Sequence, residues 1–216
     1  MSKINNKELL IFDWDGTIMD SVPKIVATLQ SAARALSVPE PDPVSAKNII
    51  GLSLDTAVAT LFPEHSEFHQ ALEEQYKHHY LAVDTTPTPL FDDVESTLTA
   101  LKNKGYALAV ATGKSRKGLD RLMGETGLTH FFDITRTACE AQSKPHPQML
   151  EQILAFYQLS PQQAVMIGDT QIDMQLAANA GVDSIGVTFG VHAKEELEIF
   201  NPKATVNSYR ELLALF

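Results

Sequence analysis

The 216 residues carry 27 acidic side chains against 17 Lys and Arg, a net charge of -10, and 44% of them are hydrophobic. That balance disfavours nonspecific binding to nucleic acid or to an anionic membrane, so a phosphate ligand would need a local positive site. The length fits one large domain or a domain with a small insertion, and the single cysteine, Cys139, excludes an internal disulfide or a cysteine-built metal cage.

The first eight residues contain no apolar segment of the secretory kind, and no run approaches the roughly 20 apolar residues of a membrane span. The expectation is a cytoplasmic protein. Leu9-Leu10-Ile11-Phe12 then reads as a strand buried on both faces, and it ends at Asp13-Trp14-Asp15-Gly16-Thr17. In extended chain, residues two apart point to the same side, so Asp13 and Asp15 aim into one space while Trp14 turns away. Such a pair needs a cation between its members or a shared proton.

From Ser21, a candidate N-cap, Val22, Ile25, Val26, Leu29, Ala33 and Leu36 follow a helical period. Pro39, Pro41 and Pro43 break the chain before a second helix on Leu54, Ala57, Val58 and Leu61. A third is expected from His65 to Val83 on Phe68, Leu72, Tyr76 and Tyr80. With no strand signal here, residues 20–84 are predicted to form an inserted helical module, with Ile18 to Ser21 and Thr85 to Pro89 as its hinges. His65, His69, His78 and His79 suggest a solvated helix face rather than a metal site.

Strands and helices then alternate. A helix on Val94, Leu98 and Leu101 stops at Gly105, and strands are predicted at Tyr106 to Ala111, Asp133 to Thr137, Ala164 to Gly168, Ser184 to Val187 and Ala204 to Val206. Pro147 opens one helix, Ile172 to Ala180 form another, and Ser208 with Glu211 suggests a capping box for the last. The pattern implies an α/β core, residues 1–19 and 85–216, whose parallel sheet places ligands beyond its carboxyl edge.

Three polar signals fall at that edge. Thr112-Gly113 offers a hydroxyl and an approachable backbone N–H to a phosphate oxygen. Lys144, in Ser143-Lys144-Pro145-His146-Pro147, is a stiffly held ammonium. Gly168-Asp169-Thr170-Gln171-Ile172-Asp173 again runs a buried strand out into carboxylates, hard ligands suited to Mg²⁺. Gly113-Lys114-Ser115 is only a fragment of a P-loop, lacking the upstream glycine. Arg116 and Lys117 read as a solvent-facing pair at a helix start.

The ordered set Asp-x-Asp-Gly-Thr, Thr, Lys-Pro and Gly-Asp-x-x-x-Asp resembles the haloacid dehalogenase (HAD) superfamily, and the helical insertion resembles its C1-type cap. The resemblance implies a Rossmann-like core and a phosphatase acting on a small phosphorylated metabolite, as a monomer or homodimer. It implies Asp13 as nucleophile, ionised at neutral pH, and Asp15 as general acid and base. Thr112, Gly113 and Lys144 would clamp the oxyanion, and Mg²⁺ would bind Asp13, Asp169 and the Asp15 carbonyl, with Asp173 in an orienting role. Lys47, Asn48 and the Gly51-Leu52-Ser53 turn are candidate substrate contacts.

The nearest branch is phosphoglycolate phosphatase, which often shows Thr-Asn-Lys where this chain has Thr112-Gly113-Lys114. A sugar-phosphate mutase is the alternative enzyme, although Leu54 stands where those relatives carry a basic residue. A phospho-acceptor signalling module is the non-enzymatic alternative.

Overall fold

Leu9–Phe12 forms the first strand, β1, in the computed structural model, which describes Ile4 and residues 6–216. All four side chains are buried, and they alternate between two cores: Leu10 and Phe12 enter one, Leu9 and Ile11 the other. The same alternation recurs in the neighbouring strands, where Val110 and Ile167 share the first core and Ala109 and Met166 the second. A sheet apolar on both faces must be covered by helices on both sides.

The helical segment comes next. Its helices are α1 (Val22–Ala35), α2 (Pro43–Asn48), α3 (Leu54–Leu61) and α4 (His69–His78), and a π-helical turn, His79–Val83, closes it. Two apolar clusters hold it together, one on Ile25, Leu29, Ile49 and Ala57, the other on Ala33, Val58, Phe62 and Leu72. Pro43 does not simply break the chain. It occupies the first turn of α2, where its missing N–H costs nothing, and Asp42 caps that helix through Val44 N and Ser45 N. The expected third helix also divides, into a 3₁₀ turn (Ser66–Phe68), α4 and the π turn.

The chain then alternates as α5 (Val94–Asn103), β2 (Ala107–Thr112), α6 (Arg116–Thr126), β3 (Ile134–Thr137), α7 (Gln148–Tyr157) and β4 (Ala164–Gly168). It ends with α8 (Gln171–Asn179), β5 (Asp183–Val187), α9 (Lys194–Glu198), β6 (Ala204–Val206) and α10 (Tyr209–Ala214). Among the described residues the sheet runs β3-β2-β1-β4-β5-β6 with every pairing parallel, so the α/β reading holds. The short α9 had no sequence signal. Only half of the box predicted at Ser208 forms: its hydroxyl accepts from Glu211 N, while the Glu211 carboxylate accepts from Asn207 N.

The strand order reverses direction at β1 and β4, the switch point where such sheets open a crevice at their carboxyl edge. Asp13 leaves β1 there, its N–H still bonded to Ile167 O at 2.9 Å, and Asp169 leaves β4 beside it. The two connections to the helical segment lie side by side, with Asp20 N donating to Pro89 O and Phe91 N to Ile18 O.

Candidate active site

Four separated stretches of sequence meet at this edge. Asp13, Thr112, Lys144, Asp169 and Asp173 are at most 1% exposed, and Asp15 is 7% exposed. Lys144 Nζ donates to Asp13 Oδ1 at 2.8 Å and to Asp173 Oδ1 at 2.7 Å. Asp169 is held by Thr17 Oγ1 at 2.8 Å and by Val191 N, also at 2.8 Å. Asp13, Asp169 and Asp173 each bring an oxygen within 4.8 Å of the others.

Space around the cluster is set by glycines. Gly16, at φ +74°, and Gly190 both press their Cα against Asp169, and a Cβ on either would overlap its Oδ2. Gly113 packs under the carbonyls of Gly51 and Leu52, so the predicted turn 51–53 does reach the site. Ser53 N also donates to Ser143 Oγ at 2.9 Å, joining the helical segment to the loop that carries Lys144. Lys47 and Asn48 are exposed, and Lys47 lines a groove of about 460 Å³ with Asp20, Gln30, Phe189 and Gly190, the last of which also packs on Asp169.

Ser21 departs from expectation. It stands at the N-cap of α1 but makes no capping bond; its hydroxyl donates instead to Asp15 Oδ1. The Lys114 ammonium pairs with the same oxygen at 2.9 Å. Both anchors therefore fall on Oδ1 and leave Oδ2 of Asp15 unengaged. Thr112 Oγ1 accepts from Lys114 N at 3.2 Å, which leaves its hydroxyl hydrogen free to donate.

Burial pushes the Asp13 carboxyl up to about 7, with Asp173 and Asp15 adding repulsion that the Lys144 ammonium only partly offsets. Burial and the neighbouring carboxylates thus oppose the ionisation of Asp13 that the nucleophilic role requires, and added positive charge would favour it. Burial and the charges of Asp173 and Asp13 likewise hold Asp169 well above the ordinary carboxylate range. Burial acts to lower the Lys144 ammonium, but Asp13 and Asp173 outweigh it and keep it charged.

A family model described as haloacid dehalogenase-like hydrolase matches residues 10–187. The chain belongs to the haloacid dehalogenase-like hydrolases. Within this hydrolase family it is 35% identical over 214 residues to "Probable phosphatase IndB" of Dickeya dadantii, covering 96% of this chain and 92% of the relative. It is 31% identical to a Vibrio cholerae protein named phosphoglycolate phosphatase, covering 90% of each. A crystal structure from Haemophilus somnus, described as a predicted phosphoglycolate phosphatase, superposes with a TM-score of 0.86 at 24% identity. That alignment covers 98% of this chain and 99% of the other, and it supports the fold.

The acidic cluster of this hydrolase fits a hard divalent cation. Asp13 Oδ2 is buried with no hydrogen-bond partner among the described residues. Three carboxylates gather here, and the Lys144 ammonium pairs with only two of them, Asp13 and Asp173, leaving Asp169 without a cation. By contrast, His69 and His79 bond to Phe62 O and Ser31 and form no metal cluster among the described residues. Arg116 joins Asp120, Thr135 and Glu140 instead of facing the site, and Cys139 is exposed.

The raised carboxyls predict an unusual pH dependence. Between about pH 4 and 7 the folded metal-free hydrolase holds protons on Asp13 and Asp169 that the unfolded chain has lost, so stability falls as pH rises. Burial lowers the His192 imidazole, which opposes the trend. Thermal unfolding between pH 5 and 7.5 should show a falling midpoint without metal, and stabilisation by added Mg²⁺ that grows with pH. A metal effect independent of pH would contradict this assignment.

Proposed function

We propose that this chain is a Mg²⁺-dependent phosphatase that hydrolyses a small phosphate monoester, of the phosphoglycolate type, through an aspartyl-phosphate on Asp13. The observation that carries this reading is the buried, unpartnered Oδ2 of Asp13 amid groups able to bind a phosphoryl oxygen. Two relatives covering most of the chain are named phosphatase and phosphoglycolate phosphatase, which supports the same class.

The Asp13 carboxylate attacks phosphorus and forms the acyl phosphate as the ester oxygen departs. Thr112, the Gly113 N–H and Lys144 bind the phosphoryl oxygens as charge redistributes over them. Asp15, anchored through Oδ1, offers Oδ2 to protonate the leaving oxygen, and later takes a proton from the water that cleaves the acyl phosphate. Magnesium bound by Asp13, Asp169 and the Asp15 carbonyl would screen the repulsion between nucleophile and substrate. Asp173, bonded to Lys144 and to Thr170 Oγ1 at 2.6 Å, orients the ammonium. Residues 20–84 act as the cap that excludes water.

The test is phosphate release from a panel of small esters with and without Mg²⁺. Release that needs the cation is expected; no release from any ester, or undiminished release in chelator, rejects the reading. An isomerised phosphate ester as product would favour a mutase instead.

A further inference from the structure

The loop that follows β5 grips the chain around Asp169. Val191 N donates to Asp169 Oδ2 at 2.8 Å, and His192 N donates to the Asp169 carbonyl at 3.1 Å. The His192 imidazole accepts from Gln171 N at 3.2 Å through Nδ1, so the loop is bonded to the carboxylate residue and to the start of α8 after it. Gly190 lies so close to Asp169 that no Cβ would fit between them. Residues 190–192 therefore cannot shift without carrying Asp169 along.

The side chains of the same loop point the other way, to the helical segment and its hinge. Val191 is half-buried against the apolar cluster of Val22, Ile25, Ile49 and Leu52, whose every other member lies between Val22 and Tyr80. Phe189 stacks on Phe91 with ring centroids 4.6 Å apart, and Phe91 N bonds Ile18 O where the two connections run together. Phe189 also meets the ring of Tyr209 at 5.6 Å. The Tyr209 hydroxyl donates to Thr17 O, and Thr17 Oγ1 holds Oδ1 of Asp169. Both oxygens of this carboxylate are thus oriented through residues tied to the hinge or to the helical segment. Each accepts one of these bonds and keeps a lone pair for a cation.

We propose that Val191 is a positioning residue that makes cation binding at Asp169 and docking of the helical segment favour each other. The proposal rests on the reading of Asp169 as a cation ligand, and it adds that the ligand's orientation depends on the segment. With the segment docked, packing on the Val191 side chain fixes its N–H on Oδ2 and sets the carboxylate. With the segment released, that packing is lost and Asp169 is freer to turn. By linkage, a bound cation tightens docking by the same factor by which docking tightens the cation.

The test needs no substrate. Hydrogen exchange of the Ser53 amide, which bonds Ser143 Oγ and so ties the helical segment to the core, reports release of the segment. Mg²⁺ affinity is measured calorimetrically on the same full-length protein. In the parent, saturating Mg²⁺ should slow Ser53 exchange about tenfold. Val191→Ala keeps the backbone donor and loses the contact. It should lose most of that protection even at saturating Mg²⁺, and it should bind Mg²⁺ more weakly by a similar factor. Faster Ser53 exchange in Val191→Ala with the Mg²⁺ effect intact would show packing alone and overturns the proposal. A parent that binds Mg²⁺ without any change at Ser53 overturns it too, and leaves the phosphatase reading standing. A parent that binds no Mg²⁺ rejects both.

Discussion

Asp13→Asn is expected to lower kcat by at least about 10³-fold while making the metal-free protein harder to unfold. The amide cannot form an acyl phosphate, so the two-step route closes. The same change removes one of three clustered buried carboxylates, and with it a charge that burial first, and then Asp173 and Asp15, disfavour. Active sites often carry such a conflict between stability and chemistry. Steady-state phosphate release and thermal unfolding in chelator check the two halves separately. A variant that is inactive and also less stable would indicate misfolding; one that retains turnover would show that Asp13 is not the nucleophile.

The second large effect is expected at Lys144. Its ammonium is fully buried and bonds Asp13 and Asp173 at 2.8 and 2.7 Å, so Lys144→Met leaves those two buried carboxylates with no positive partner. Removing one side of a buried ion pair typically costs about 3–5 kcal/mol. In a chain of this size that corresponds to a fall of roughly 10 °C in the unfolding midpoint. Phosphate release should fall as well, because Lys144 also faces the phosphoryl oxygens. Combining the change with Asp13→Asn should cost less than the sum of the two, since the partners are in direct contact. An additive double variant would show that the two groups do not interact in solution.

Much of this arrangement was legible in the chain because its signals are contiguous. A strand buried on both faces writes itself as an apolar run, and a carboxylate directly after such a run has few structural uses. That is why Asp13, Thr112 and Asp169 could be placed at one sheet edge from the chain, whereas Lys144, in a proline-flanked loop, joined them only through the family resemblance. Ser21 was misread because a serine at a helix start is ordinarily a cap. Only the tight turn through Gly16, which brings Met19 back against Asp15, shows that its hydroxyl can reach that carboxylate instead.

Lys114 was seen as part of an incomplete phosphate loop, whereas its function depends on meeting Asp15 from a different strand. The loop from Thr188 to Ala193 was invisible for another reason. It serves Asp169 through the backbone N–H of Val191 and His192, and main-chain donors carry no residue signature. Tyr80 fitted the apolar period of the third helix, and nothing in that period shows the extra residue that widens its last turn.

The paired connections at Ile18–Phe91 and Asp20–Pro89 have a kinetic consequence. Two strands bonded together resist sliding and bending in most directions, so they act as a door's pin, permitting rotation about one line. Gly113 packs beneath Leu52 and Ser53 N bonds Ser143 Oγ, so the helical segment is latched to the core at a second place. On the proposed function, the helical segment would unlatch and swing twice in each turnover, once to admit an ester and once to let the alcohol leave. The latch lies outside the reacting groups, so throughput can be tuned there without altering the chemical step.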